Sequence, residues 1–146
     1  MSINTGKYVE EVNSFLQQLT QELNTPGDTN HAGRVTIAVL HTLRERIPVE
    51  ESIHLISQLP MILKGIYVDG WDISRELSQA DTLDEFLDEI REHAPFKDGK
   101  DFGNNQQARE NVRAVLQVMR NYVSDGEMQQ VKNAFPRQLA EALFGQ

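Results

Sequence analysis

Glu51-Ser52-Ile53-His54 sets a carboxylate and an imidazole three residues apart. On a helix that spacing puts both groups on one face. Di-iron bundles use the same Glu-x-x-His motif twice, with two further glutamates from other helices. The corresponding stretch later in the chain reads Glu127-Met128-Gln129-Gln130, so Gln130 stands where a second imidazole is needed. Glu51 also has an ordinary task, because a carboxylate in the first turn of a helix meets the positive end of its dipole. The residues alone therefore point to no metal and no cofactor. Glu51 serves a helix start, and His54 is solvated or makes an ordinary hydrogen bond.

Other chemistries find less support. The histidines are His31, His41, His54 and His93, no two of them spaced four apart, and the chain has no cysteine. That excludes thiolate metal sites, disulfides and thiol nucleophiles, and leaves no zinc-ligand spacing. There is no Gly-x-Ser-x-Gly elbow and no glycine-rich phosphate loop. No catalytic residue is assigned, and the balance is against an enzyme.

Two groups of residues remain as candidates for an interaction surface or a pocket. Arg44 and Arg120 fall at equivalent places near the ends of two long helices. Each can oppose a helix C-terminus or pair with the acidic start of the next helix, Glu50 or Glu51 in one case and Asp125 or Glu127 in the other. A symmetric guanidinium pair could also hold an anion, in a cleft shared with His41 and Tyr67. The second group is Tyr67 with Trp71, the only tryptophan, in a connecting segment. These rings either wedge the connector onto the core or present an aromatic anchor to a partner.

The elements that position these residues come twice. Residues Ala38 to Tyr67 align with Ala114 to Leu143 without a gap. Ala38-Val39-Leu40 answers Ala114-Val115-Leu116, Glu51 answers Glu127, and Leu59-Pro60 answers Phe135-Pro136. The stretch from Leu83 to Ile90 likewise resembles Val12 to Leu19. The reading is an internal repeat over 8–69 and 81–146, with a linker over 70–80, inside one domain over 1–146.

Apolar spacing of three and four residues predicts about eight helices and no strand. The fold class is all-α, two four-helix halves related by a pseudo-twofold axis and sharing one core. The first helix runs from Tyr8 to Leu23. Asn30 caps the second, which reaches about Arg46. Pro48 and Pro60 open the third and fourth, and Gly65 inside the fourth allows close packing. Thr82 with Glu85, and Ser124 with Glu127, have the spacing of capping boxes. A long helix from Asn105 to Val123 follows a polar, mobile loop over 95–105 that carries Phe96 and Phe102.

The paired Ala-Val-Leu helices, the acidic helix start and Gln58-Leu59-Pro60, with Phe135-Pro136 in the second copy, resemble the bacterial family catalogued as domain of unknown function 2267. The resemblance covers Tyr8 to Phe144. It implies small, soluble, helical bacterial proteins without a settled activity, and no functional residue can be carried over from it.

The 22 acidic residues outnumber 14 basic ones, for a formal charge of −8. Basic residues are scattered rather than gathered into a patch, which argues against nucleic acid and anionic membrane surfaces as partners. The apolar runs fall well short of the roughly 20 residues of a membrane helix. The polar start from Met1 to Lys7 argues against a secretory signal, so the expected location is the cytoplasm. The preferred function is a non-catalytic interaction module that binds another protein, with homo-oligomer formation open. The alternative is a small-molecule or anion binder with a pocket between the halves.

Overall fold

Each apolar-periodic stretch closes into a helix in the computed structural model, which describes residues 2–145. Met1 and Gln146, the ends of the expected 1–146 domain, lie outside the described residues. The helices are α1 Thr5–Glu22, α2 Thr29–Arg44, α3 Val49–Gln58, α4 Met61–Val68, α5 Leu83–His93, α6 Asn105–Met119, α7 Asp125–Lys132 and α8 Arg137–Phe144. Among the described residues there is no strand. The starts of α2, α3 and α4 precede those of α6, α7 and α8 by one constant interval, the same interval as in the gapless alignment.

Helix ends depart from the apolar pattern where polar caps decide them. Asp28, not Asn30, caps α2 by accepting the His31 N–H, which places Asn30 inside the first turn. Asn4 does the same for α1 through Lys7 N–H, so that helix begins before its first apolar residue. The helix α6 stops at Met119. Asn121 and Tyr122 then donate to Val118 and Met119 carbonyls, a tightened last turn that carries Val123 into the core. Thr82 and Glu85 make the expected reciprocal box on α5. Asn104 and Gln107 make another on α6, a pairing outside the expected set.

Packing crosses between the two runs of four helices. The helix α5 lies on α2, and α1 lies on α6 as well as on α2 and α4. Direct contacts join α2 to α6 and α3 to α7. The buried apolar side chains from both runs accordingly form one cluster, with Leu40, Leu43, Leu59, Leu116, Met119 and Phe135 all inside it. Phe135 stacks edgewise on Phe86 and Phe144, under the guanidinium of Arg46.

The connectors are tied down. Over 70–80, Ser78 N–H donates to the Glu45 carbonyl at 2.7 Å, Arg75 pairs with the Glu45 carboxylate at 3.1 Å, and Arg46 donates to the Ala80 carbonyl. The 95–105 loop, expected to be mobile, is anchored from α2. Arg34 gives Asp101 two hydrogen bonds, at 2.9 and 3.0 Å, and His31 Nδ1 lies 2.8 Å from the same carboxylate. Burial of Asp101 opposes its ionisation, but the bonds from Arg34 and His31 outweigh this and hold its pKa below the ordinary value. Phe102 is buried beside it, whereas Phe96, the other aromatic of the loop, stays exposed beneath the Arg34 guanidinium.

Leu40→Ala and Leu116→Ala should each cost about 2–5 kcal/mol in urea denaturation. A loss below about 1 kcal/mol would place these side chains outside the core. Gly65 faces solvent, and a methyl group there would meet nothing within 4 Å, so its expected packing role is absent. Gly65→Ala should therefore stabilise the protein by roughly 0.5–1 kcal/mol, through helix propensity alone.

Candidate functional site

Two glutamates near the starts of α3 and α7 meet where those helices touch. On α3, Glu50 and Glu51 occupy the first turn after Pro48, as the dipole favours. On α7, Ser124 caps the helix by accepting the Glu127 N–H at 3.1 Å. The reciprocal half of the expected capping box is missing. Ser124 N–H donates instead to Oε1 of Gln58, at the end of α3, at 2.7 Å. Glu127 is thereby released from its helix end, and its carboxyl turns toward Glu51.

His54 completes the group. One ligating atom from each of Glu51, His54 and Glu127 lies within 4.8 Å of the others, and His54 Nδ1 is 3.7 Å from Glu51 Oε2. Burial falls steeply across the set: Glu127 is 8% exposed, Glu51 is half-buried, and His54 is open to solvent. Neither Oε2 of Glu51 nor Oε2 of Glu127 has a hydrogen-bond partner. Burial first, and then the facing Glu51 carboxyl, push the Glu127 pKa up to about 7. Two carboxyls this close and this dry share a proton, or they attract a cation.

A second polar pair lies next to them. Ser52 and Tyr67, both fully buried, join their hydroxyls at 2.6 Å and link α3 to α4. Burial pushes the Tyr67 phenol up to about 12, so it is a neutral group at ordinary pH. Trp71 packs edge-on against its ring, with centroids 5.6 Å apart. The depression beside Trp71 holds about 10 Å³, at most about one water. The aromatic pair thus wedges the connector onto the core, and Tyr67 has no surface to offer a partner.

Arg44 and Arg120 have taken on helix ends. Arg44 is buried and donates through Nη1 to the carbonyls of Tyr67 and Asp69, at 2.9 and 2.6 Å, closing α4. Arg120 donates to the Phe144 carbonyl at 3.1 Å, closing α8. These contacts replace the expected pairing of each arginine with the acidic start of the following helix. The orphan carbonyls of the last turn are the nearer and better-aligned acceptors. His41 Nε2 lies 2.7 Å from the Ile66 carbonyl, and burial, aided by the Arg44 charge, lowers its pKa. Arg44 and Arg120 border different depressions, and neither of these is lined by His41 or Tyr67.

A family model described as "Uncharacterized conserved protein (DUF2267)" matches residues 12–142. The chain belongs to the DUF2267 family. Among curated proteins, none matches it.

In this DUF2267 chain the Glu51–His54 pair is legible from its spacing, which points to a second Glu-x-x-His for its complement. The third group is Glu127, the residue that answers Glu51 itself. The signal was the repeat. If two copies meet across an axis, residues at equivalent positions can face each other. Gln130, the residue in place of a second histidine, is exposed.

The raised Glu127 pKa carries a sign. Between its ordinary value of 4.5 and about 7, the folded protein holds a proton that the unfolded chain has released. Stability therefore falls as pH rises through that window, by about 3 kcal/mol in all. Glu127→Gln, which mimics the protonated carboxyl, should flatten this descent. In chelator-treated buffer at about pH 8 it should be more stable than the native protein by about 1–3 kcal/mol. Urea denaturation across this pH range measures it, and parallel curves for the two proteins would mean that the carboxyl is hydrated.

Proposed function

We propose that this DUF2267 protein is a non-catalytic interaction module of the bacterial cytoplasm, built from two copies of one four-helix unit. The observation that carries this reading is the placing of exposed aliphatic side chains. Ile53, Met61, Val68, Ile73 and Leu77 are all exposed, and all come from the stretch of chain through α3, α4 and the following connector. Exposed aliphatic side chains gathered in one stretch of chain are candidates for cover by a partner. The acidic balance of the chain favours a partner with a basic face, which would make association sensitive to salt.

The interaction reading moves away from Tyr67 and Trp71, whose rings are engaged with each other, toward Val68, Ile73 and Leu77 around them. The anion-binding alternative loses its support, because Arg44 spends its guanidinium on two carbonyls of its own chain. The depressions elsewhere are open and polar, unlike the mostly apolar concavities that enclose small ligands. The copy reading is supported by the constant interval between helix starts and by the matching roles of Arg44 and Arg120.

Ile73→Asp and Ile53→Asp alter side chains that are exposed by 62% and 56%, so both variants should melt like the native protein. Affinity purification from the source cells should recover a partner with the native chain, with recovery falling at least about fivefold for one or both variants. Recovery should also drop as salt is raised. A partner retained equally by both variants would place the interaction elsewhere on the surface. A partner lost equally with Leu40→Ala would only report unfolding, so the melting scan accompanies each capture.

A further inference from the structure

We propose that Glu51, His54 and Glu127 form a binding site for one first-row divalent metal ion of the zinc or manganese class, between α3 and α7. The inference stands apart from the interaction reading, and neither depends on the other.

The first support is a buried acceptor with nothing to accept from. Glu127 is more than nine-tenths buried, and its Oε2 has no hydrogen-bond partner. Glu51 Oε2, on the other side of the contact, is equally without one. Desolvated carboxylates need a cation or several donors. Among the described residues no lysine or arginine forms an ion pair with either glutamate. Arg46 and Arg44, the buried guanidiniums nearest Glu51 in sequence, are turned to the Ala80 carbonyl and to the α4 carbonyls instead. A metal ion would satisfy both unpartnered oxygens at once.

The second support is the way the local structure frees Glu127. In a complete capping box its carboxyl would bind the Ser124 N–H, as Glu85 binds that of Thr82. Gln58 has taken over that hydrogen bond. The start of α7 is thus capped without the Glu127 carboxyl, which remains available to a ligand.

The third support is the donor set. Two carboxylate oxygens and one imidazole nitrogen suit zinc, manganese or iron(II) better than calcium or magnesium, which favour oxygen-only shells. Bond lengths of about 2.0–2.2 Å set ligand atoms roughly 3.3–3.5 Å apart in a tetrahedron. The Glu51–His54 pair is close to that at 3.7 Å, and the widest separation in the set is 4.8 Å at most. The remaining closure falls to His54, whose exposed side chain is free to turn. Its exposure also leaves a solvent side where water completes the shell.

The test uses the untagged chain, stripped with chelator, titrated with zinc chloride and separately with manganese chloride at about pH 7.5. Calorimetry should show one ion per chain for at least one metal, with a rise in melting temperature of several degrees. Glu127→Gln and His54→Ala should each weaken binding by at least about tenfold while still folding cooperatively. Glu127→Gln keeps the side-chain shape, and His54 is a surface residue, so loss of binding in both separates ligation from misfolding. Two results would overturn the proposal. One is no binding and no melting shift with either metal at millimolar concentration. The other is binding left within about threefold of native by Glu127→Gln, which would assign the ion to other residues.

Discussion

Neither run of four helices in this chain buries its apolar face within itself, and the structure resolves this by exchange. The fifth helix covers the second, and the first covers the sixth. Phe86, Leu87 and Ile90 of α5 and Phe15 and Leu19 of α1 therefore complete a core that belongs to both runs. Everything else follows from this crossing. It presses α2 against α6, leaves α3 to meet α7, and requires the connectors to be held close to the ends of α2. The anchoring of Asp101 by Arg34 and His31 belongs to the same constraint, because it fixes the chain between α5 and α6 to the flank of α2.

Charge is used sparingly inside this frame, and chiefly to finish helices. Arg44 and Arg120 close α4 and α8 through carbonyls that would otherwise be orphaned. Arg46 combines a carbonyl contact with a position over the Phe135 ring. Glu45 receives both Arg75 and His93. Among the described residues Glu127 has no cation of its own: its buried Oε2 and the Oε2 of Glu51 across the α3–α7 contact both lack a hydrogen-bond partner.

The eight helices were legible because their apolar positions recur every three or four residues, and the Thr82–Glu85 box because its partners are local. Boundaries shifted wherever a polar side chain such as Asp28 or Asn4 intervened, since periodicity sees only the buried face. The loop anchor was illegible for another reason. Asp101 and Arg34 are far apart in sequence, and nothing in either local stretch marks the pair. The candidate site was half-legible. Glu51 and His54 share a helix face and could be read together, whereas their meeting with Glu127 depends on how α3 lies on α7. The Ser124–Glu127 spacing even pointed the other way, toward an ordinary cap, and only the intrusion of Gln58 cancels it.

The helices α3 and α7 touch one another, and there the aligned positions Glu51 and Glu127 come together. For an apolar residue this is favourable, since it meets its own kind in the core. For a carboxylate it is costly, because two like charges face each other as water is withdrawn. A pair of well-packed aliphatic side chains at positions 51 and 127 would serve stability better. The surrounding residues show that the two helices are not bound to remain alike: Ile53 answers Gln129, and His54 answers Gln130. His54 lies near one glutamate, 3.7 Å from Glu51 Oε2, so the set is an asymmetric one, with a buried acid, a half-buried acid and an exposed imidazole. Packing does not call for that gradient. A group that enters from solvent, meets the imidazole first and ends between two carboxylates does.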